Sequence, residues 1–301
     1  MHQHSLLMKK ITFLFILSAL FFSSCEESGS STEKMNPEET SSTDDIVVEN
    51  FSKMDSRRAL LAEKLIRSIP SLSESAQIYN ELNESYSMDL LNPMENAQRY
   101  TTLKEKGLNL GVYLGDLSYI SIFEQTQEAI FYMNSSKKIA ESIGVTAVFD
   151  EATMERMESN LGNQDSIIHL ISQLYWKTDN FLKQSNRQNI SALIITGGWI
   201  EGMRLGADLI QNHPETTHLY ASMLQQEVNL DRIIRLLETF EGDEVVEPIM
   251  AECQRLMDIY KSLPEAQYDE NKTRQVTEIE KEKINQLCVE IINIRNEWIQ
   301  A

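Results

Sequence analysis

Cysteine is scarce in this chain of 301 residues: Cys25, Cys253 and Cys288 are the only three. Three thiols cannot form the disulfide framework on which small secreted domains depend. Histidine is equally thin. Of five, His2 and His4 lie in the first four residues and the others are scattered, so no zinc-ligand spacing exists. Neither a metal nor a cofactor is expected. Proline (six) and glycine (eleven) are few, and runs alternating apolar with polar residues are rare. These shortages disfavour a β fold and predict an all-α, multi-helix bundle. Positive charge is short as well, with 27 basic against 46 acidic side chains. Such a surface repels phosphates and excludes nucleic acid as a partner. Motifs are missing too: there is no Gly-x-Ser-x-Gly elbow, phosphate-binding loop, His-Glu-x-x-His pair or dinucleotide fingerprint.

The longest apolar run, Ile11 to Phe22, has twelve residues. That is too short to span a bilayer but suits the core of a signal peptide. Lys9 and Lys10 precede it, and Ser23-Ser24-Cys25 follows. The layout resembles a bacterial lipoprotein signal, with Met8 a better start than Met1 and Phe22 standing where Leu is commonest. The resemblance implies cleavage before Cys25 and acylation of its thiol with palmitate-class chains. More than one chain gives stable membrane attachment. Glu26-Glu27-Ser28-Gly29 resembles the acidic export stretch of Bacteroidota-type lipoproteins, which implies the outer membrane, on its periplasmic or cell-surface face. Removing residues 1–24 removes two lysines and no acid, leaving 25 basic against 46 acidic groups, a net charge of −21. The membrane partner is therefore reached through lipid, not through charge.

Residues 25–45 are Ser, Glu, Thr and Asp with almost no apolar side chain, which predicts a disordered tether. Residues 46–301 are expected to form one helical domain. Helices are predicted from about Glu95 past Tyr119, then over Gln125–Ile143, Asp150–Leu161, Asp165–Gln184, Asn189–Gln211, Glu215–Glu227, Leu230–Phe240, Val245–Leu263 and Thr273–Ile299. Val145–Phe149 has β character but reads better as a loop. If the helices bearing Cys253 and Cys288 form a hairpin at Pro264, the thiols lie in adjacent layers, and two buried free thiols are the default.

Seven of the eleven glycines fall inside two of these helices: Gly107, Gly111 and Gly115, and Gly197, Gly198, Gly202 and Gly206. A spacing of four sets each series on one helical face. A mid-helix glycine costs about 0.5–1 kcal/mol relative to alanine, so several together call for compensation by close backbone packing. The two Gly faces are predicted to pack on each other at the centre of the bundle. Gly111-Val-Tyr113-Leu114-Gly-Asp resembles Gly197-Gly-Trp199-Ile200-Glu-Gly, which suggests two pseudo-equivalent halves. Gly107 to Phe123 carries one charge, Asp116, but its polar content and flanking charges favour a buried helix over a membrane span.

A buried Asp116 needs a partner or a proton, and Arg204 on the second Gly helix is the candidate. Tyr113, Asp116, Tyr119, Trp199 and Glu201 would line a central groove suited to sugars or amines if they are not simply core. The stretches Leu108 to Tyr119 and Gly197 to Gly202 resemble an uncharacterised family of helical lipoproteins from Bacteroidota-type bacteria. That resemblance implies an all-α domain behind a lipid anchor and no catalytic residue. The leading expectation is a non-enzymatic binding or scaffold protein of the cell envelope, with an envelope protein or a small molecule as its partner. A small-ligand receptor and a carboxylate-dependent hydrolase are the alternatives.

Overall fold

The computed structural model describes residues 54, 56–65, 78–161, 163–271 and 274–300. The signal segment, Cys25 and the acidic tether lie outside them. From Leu103 onward the helices, numbered in chain order, are α1 (Leu103–Ile122), α2 (Thr126–Ser142), α3 (Glu151–Glu158), α4 (Gln164–Gln184) and α5 (Gln188–Asn212). They continue with α6 (Thr217–Gln225), α7 (Glu227–Leu237), α8 (Glu247–Lys261) and α9 (Glu278–Gln300). Residues 56–65 are also helical. The only sheet among the described residues is a two-residue antiparallel pair, β1 (Gln267–Tyr268) with β2 (Arg274–Gln275). The all-α expectation holds.

Helix α1 starts at Leu103, eight residues later than the pattern predicted. Thr102 fixes the boundary: its hydroxyl accepts the Glu105 N–H at 3.2 Å, while the Glu105 carboxylate accepts the Thr102 N–H at 2.9 Å. This capping box satisfies two N-terminal donors at once. The residues before it form a separate 3-10 turn, Met94–Gln98. Helix α2 ends as predicted, with Gly144 at φ +73°, where a side chain would be strained. Val145–Phe149 contains a 3-10 turn, Thr146–Val148, and no strand.

Helices α1 and α5 form the most extensive helix–helix contact among the described residues. A Cβ on Gly111 would overlap the Ile194 carbonyl oxygen and lie 2.6 Å from the Gly198 nitrogen. One on Gly197 would overlap the Leu108 carbonyl oxygen, and one on Gly115 would lie 2.9 Å from the Glu201 Cβ. The Gly faces therefore meet backbone to backbone, as their spacing required. Gly202 and Gly206 depart from this: nothing lies within 4 Å of a Cβ on Gly202, and only the Met223 sulfur, at 3.5 Å, is near one on Gly206. Gly198 answers to a second helix as well, since a Cβ there would collide with the Tyr175 hydroxyl of α4.

Around this pair, α2 covers α1, α9 covers α5, and α4 touches both. Helices α7 and α8 pack together beside α9. Each Gly helix is followed by three more, of 17, 8 and 21 residues after α1 and of 9, 11 and 15 after α5. Cys253 and Cys288 are both free and buried. Among the described residues no helix is long and apolar enough to cross a membrane.

Candidate functional site: a buried polar centre

Leu91 and Asn92 are buried but belong to no helix or strand. Backbone groups removed from water still need partners. Here the partners are side chains from three helices. The Asn92 N–H donates to Asp116 Oδ2 of α1 at 3.1 Å. The Asn92 carbonyl accepts the Tyr132 hydroxyl of α2 at 2.9 Å, and the Pro93 carbonyl accepts the Tyr113 hydroxyl at 2.7 Å. The Leu90 carbonyl accepts Arg295 Nη2 of α9 at 3.1 Å. Four large polar side chains thus seat one irregular strip of chain.

The Asn92 side chain extends the network. Its amide donates to the Tyr100 hydroxyl at 2.9 Å and to Asn109 Oδ1 at 3.2 Å, and its oxygen accepts from Asn96 at 3.0 Å. Asn109 and Asn96 then donate to the Trp298 and Ile299 carbonyls at 2.9 and 3.1 Å. Those carbonyls lie in the last turn of α9, which has no intrahelical donors for them.

Charge sits at the heart of this network. Glu201 of α5 is fully buried, Arg295 is 3% exposed, and Asp116 is fully buried. Arg295 grips Glu201 with two bonds, Nε to Oε2 at 2.7 Å and Nη2 to Oε1 at 3.3 Å. Burial and the neighbouring Glu201 carboxylate push the Asp116 carboxyl well above the usual carboxylate range. Burial also pushes the surrounding tyrosines up, Tyr100 and Tyr86 to about 12. Those phenols stay neutral.

The structure brings Tyr113, Asp116 and Glu201 into this centre, where all three are fully buried core groups. Tyr119 is buried nearby, its hydroxyl accepting the Ser87 N–H at 3.0 Å and its ring stacked on Tyr86. Trp199 stands apart. It precedes Glu201 by two residues and so points the other way around α5, and its indole N–H reaches Gln226 at 3.3 Å. Arg204 is not the partner of Asp116. It lies nearly one turn beyond Glu201 and acts on Tyr79 and Asp208. The guanidinium at the centre comes from α9.

The pattern of α9 carried a sign of this. Arg295 occupies its apolar stripe, between Ile291 and Ile294 on one side and Trp298 on the other. A charged residue at a core position of an amphipathic helix asks for a buried counter-charge. Asn109, set between Leu108 and Leu110 in an apolar run, was a second sign.

A second buried carboxyl, Asp179 of α4, accepts the Ser191 hydroxyl at 2.6 Å and is pushed up by burial. It lines a cavity of about 10 Å³ with Arg58, Lys183, Gln188 and Phe240. That volume holds one water. No group of three or more His, Cys, Asp or Glu able to hold a metal occurs among the described residues. Against protein-family models, curated proteins and solved structures, the chain has no match.

Proposed function

We propose that this is a lipid-anchored outer-membrane protein whose helical domain binds or organises another envelope protein and performs no turnover. The observation that carries the domain half of the reading is the closed Glu201–Arg295 pair. Catalytic carboxylates and guanidinium groups must face a reacting atom. Here every charged atom at the centre that has a partner is turned onto the protein itself, and what it holds is chain: Leu90, Asn92 and α9. The chemistry of the centre serves architecture.

The anchoring half rests on Lys9, Lys10, the apolar run and Cys25, followed by the acidic tether. Metabolic labelling with an alkyne-bearing palmitate, followed by membrane fractionation, tests it. The wild-type chain should carry label and sediment with outer membrane, whereas Cys25→Ser should lose both. Thermal-shift screening of the chain lacking residues 1–25 against envelope sugars, amines and peptides tests the domain half. No shift from small ligands agrees with a protein partner. A reproducible rise abolished by Trp199→Ala, with that variant folded, would replace it with a small-ligand receptor.

A further inference from the structure

Asp116 presents an imbalance that the rest of the centre resolves. Its Oδ2 accepts the Asn92 N–H, but the buried Oδ1 accepts from no donor. The group facing it from α5 is Glu201, itself a carboxyl and itself an acceptor. Two ionised carboxyls cannot hydrogen-bond each other. One proton between them can convert the repulsion into a bond.

The groups facing Asp116 from the surrounding elements are few. Glu201 comes from α5 and Arg295 from α9. Tyr132 comes from α2, while Tyr86 lies in the segment before α1. Tyr100 also precedes α1, and Tyr113 is on α1. The four phenols are uncharged, so Arg295 is the single cation facing Asp116 among the described residues, and it is already committed to Glu201 by two bonds. With Asp116 neutral, the triad has zero net charge. With Asp116 ionised, it holds one uncompensated negative charge where both carboxyl side chains are fully buried.

We propose that Asp116 carries the proton of a one-proton carboxyl pair with Glu201, and that this proton is a latch keeping the strip from Leu90 to Pro93 seated over the centre. Ionisation breaks the Asp116 O–H bond, leaves its electron pair on Oδ1 and sends the proton to solvent. Water must then reach the carboxylate. The α1–α5 side cannot yield, because the Gly contacts there leave no room. The strip can: Leu91 to Pro93 belong to no helix or sheet, backbone bonds hold only its ends (Leu91 N–H to Met88 and Asn96 N–H to Pro93), and side chains hold the rest.

The direction with pH follows. In the open state Asp116 titrates as an ordinary aspartate, whereas in the closed state it keeps its proton. Opening therefore grows as pH rises above about 4, the usual aspartate value. Asp116→Asn mimics the latched state: its oxygen can accept from Asn92 and its NH2 can donate to Glu201.

Hydrogen exchange of the peptide covering residues 88–98 in the full-length protein tests this, with wild type and Asp116→Asn compared at each pH so that intrinsic exchange cancels. Above about pH 6 the wild-type to variant rate ratio should climb, by up to about tenfold per pH unit while the closed state keeps its proton. A flat ratio would overturn the latch. Carbon-13 NMR of the wild-type aspartate carboxyls, which needs no folded variant, gives a second readout. One buried carboxyl should show the protonated shift at neutral pH, and finding all of them ionised there would overturn the proposal on its own.

Discussion

Gly111 and Gly197 stand against each other across the α1–α5 crossing, and a Cβ on Gly111 would lie 3.0 Å from the Gly197 carbonyl carbon. Neither helix can take a side chain at this point without moving its partner. Gly111→Ala should therefore destabilise the domain by about 1–3 kcal/mol or more, the cost of overpacking a tight core. Gly202→Ala, on the open part of the same series, should stabilise it by about 0.5–1 kcal/mol through helix propensity. Urea midpoints of the two variants decide this. Equal effects would show that the Gly series does not owe its place to the crossing.

Arg295 neutralises a buried carboxylate and also donates to the Leu90 carbonyl. Arg295→Met should cost about 3–5 kcal/mol, because Glu201 is left buried and unpaired. Combining it with Glu201→Leu should recover most of that loss, as removal of both charges leaves nothing to compensate. Chemical denaturation of the single and double variants reads the difference. A double variant as weak as Arg295→Met alone would put the value of the pair in its shape and not in its charge.

The Thr102 cap fixes where α1 begins. Thr102→Ala removes the acceptor for the Glu105 N–H and should cost about 1 kcal/mol. A thermal melt measures it, and amide exchange should rise mainly in the first turn of α1. Protection lost evenly along the helix would argue that the cap matters less than the packing.

Cys253 and Cys288 should be inert in the native protein. Both are buried, and burial pushes both thiols up to about 12. Almost no thiolate exists at neutral pH to attack a disulfide reagent. Titration with an aromatic disulfide should find neither thiol before denaturant is added and both afterwards. Fast reaction of either one in the native state would contradict its burial.

The repeating apolar stripes and the Gly spacing made the helices and the central crossing legible in the sequence, because both follow from a fixed 3.6-residue period. Boundaries set by local side-chain bonds were harder. Thr102 and Glu105 show a capping box once noticed, but an unbroken apolar pattern ran through them. Gly202 and Gly206 share a spacing with Gly198, and no spacing says where two helices diverge. The β1–β2 pair is four residues in all, too short to carry a period.

The polar centre was half visible. Asp116 and Glu201 stood out as charges inside apolar helices. Arg204 was the candidate partner of Asp116 because it lies on the second Gly helix, yet the cation at the centre lies 94 residues from Glu201 along the chain. Which distant helix supplies a counter-charge depends on packing angles that no local pattern encodes. In the sequence Asn92 marks only a helix boundary before Pro93. Its role as the hub of a hydrogen-bond network comes from the burial of the strip it sits in.

The bonds that bind Leu90, Asn96, Tyr100 and Asn109 to α9 join residues 189 to 205 positions apart. Such distant closures are entropically slow to find. While α9 is absent from its place, Asp116 and Glu201 confront each other with no cation between them, and the carbonyls of Leu90 and Asn92 have lost one guardian of the two helices that pin them. The middle of this protein is thus assembled by α9, and a chain caught before that step has a core that cannot shut.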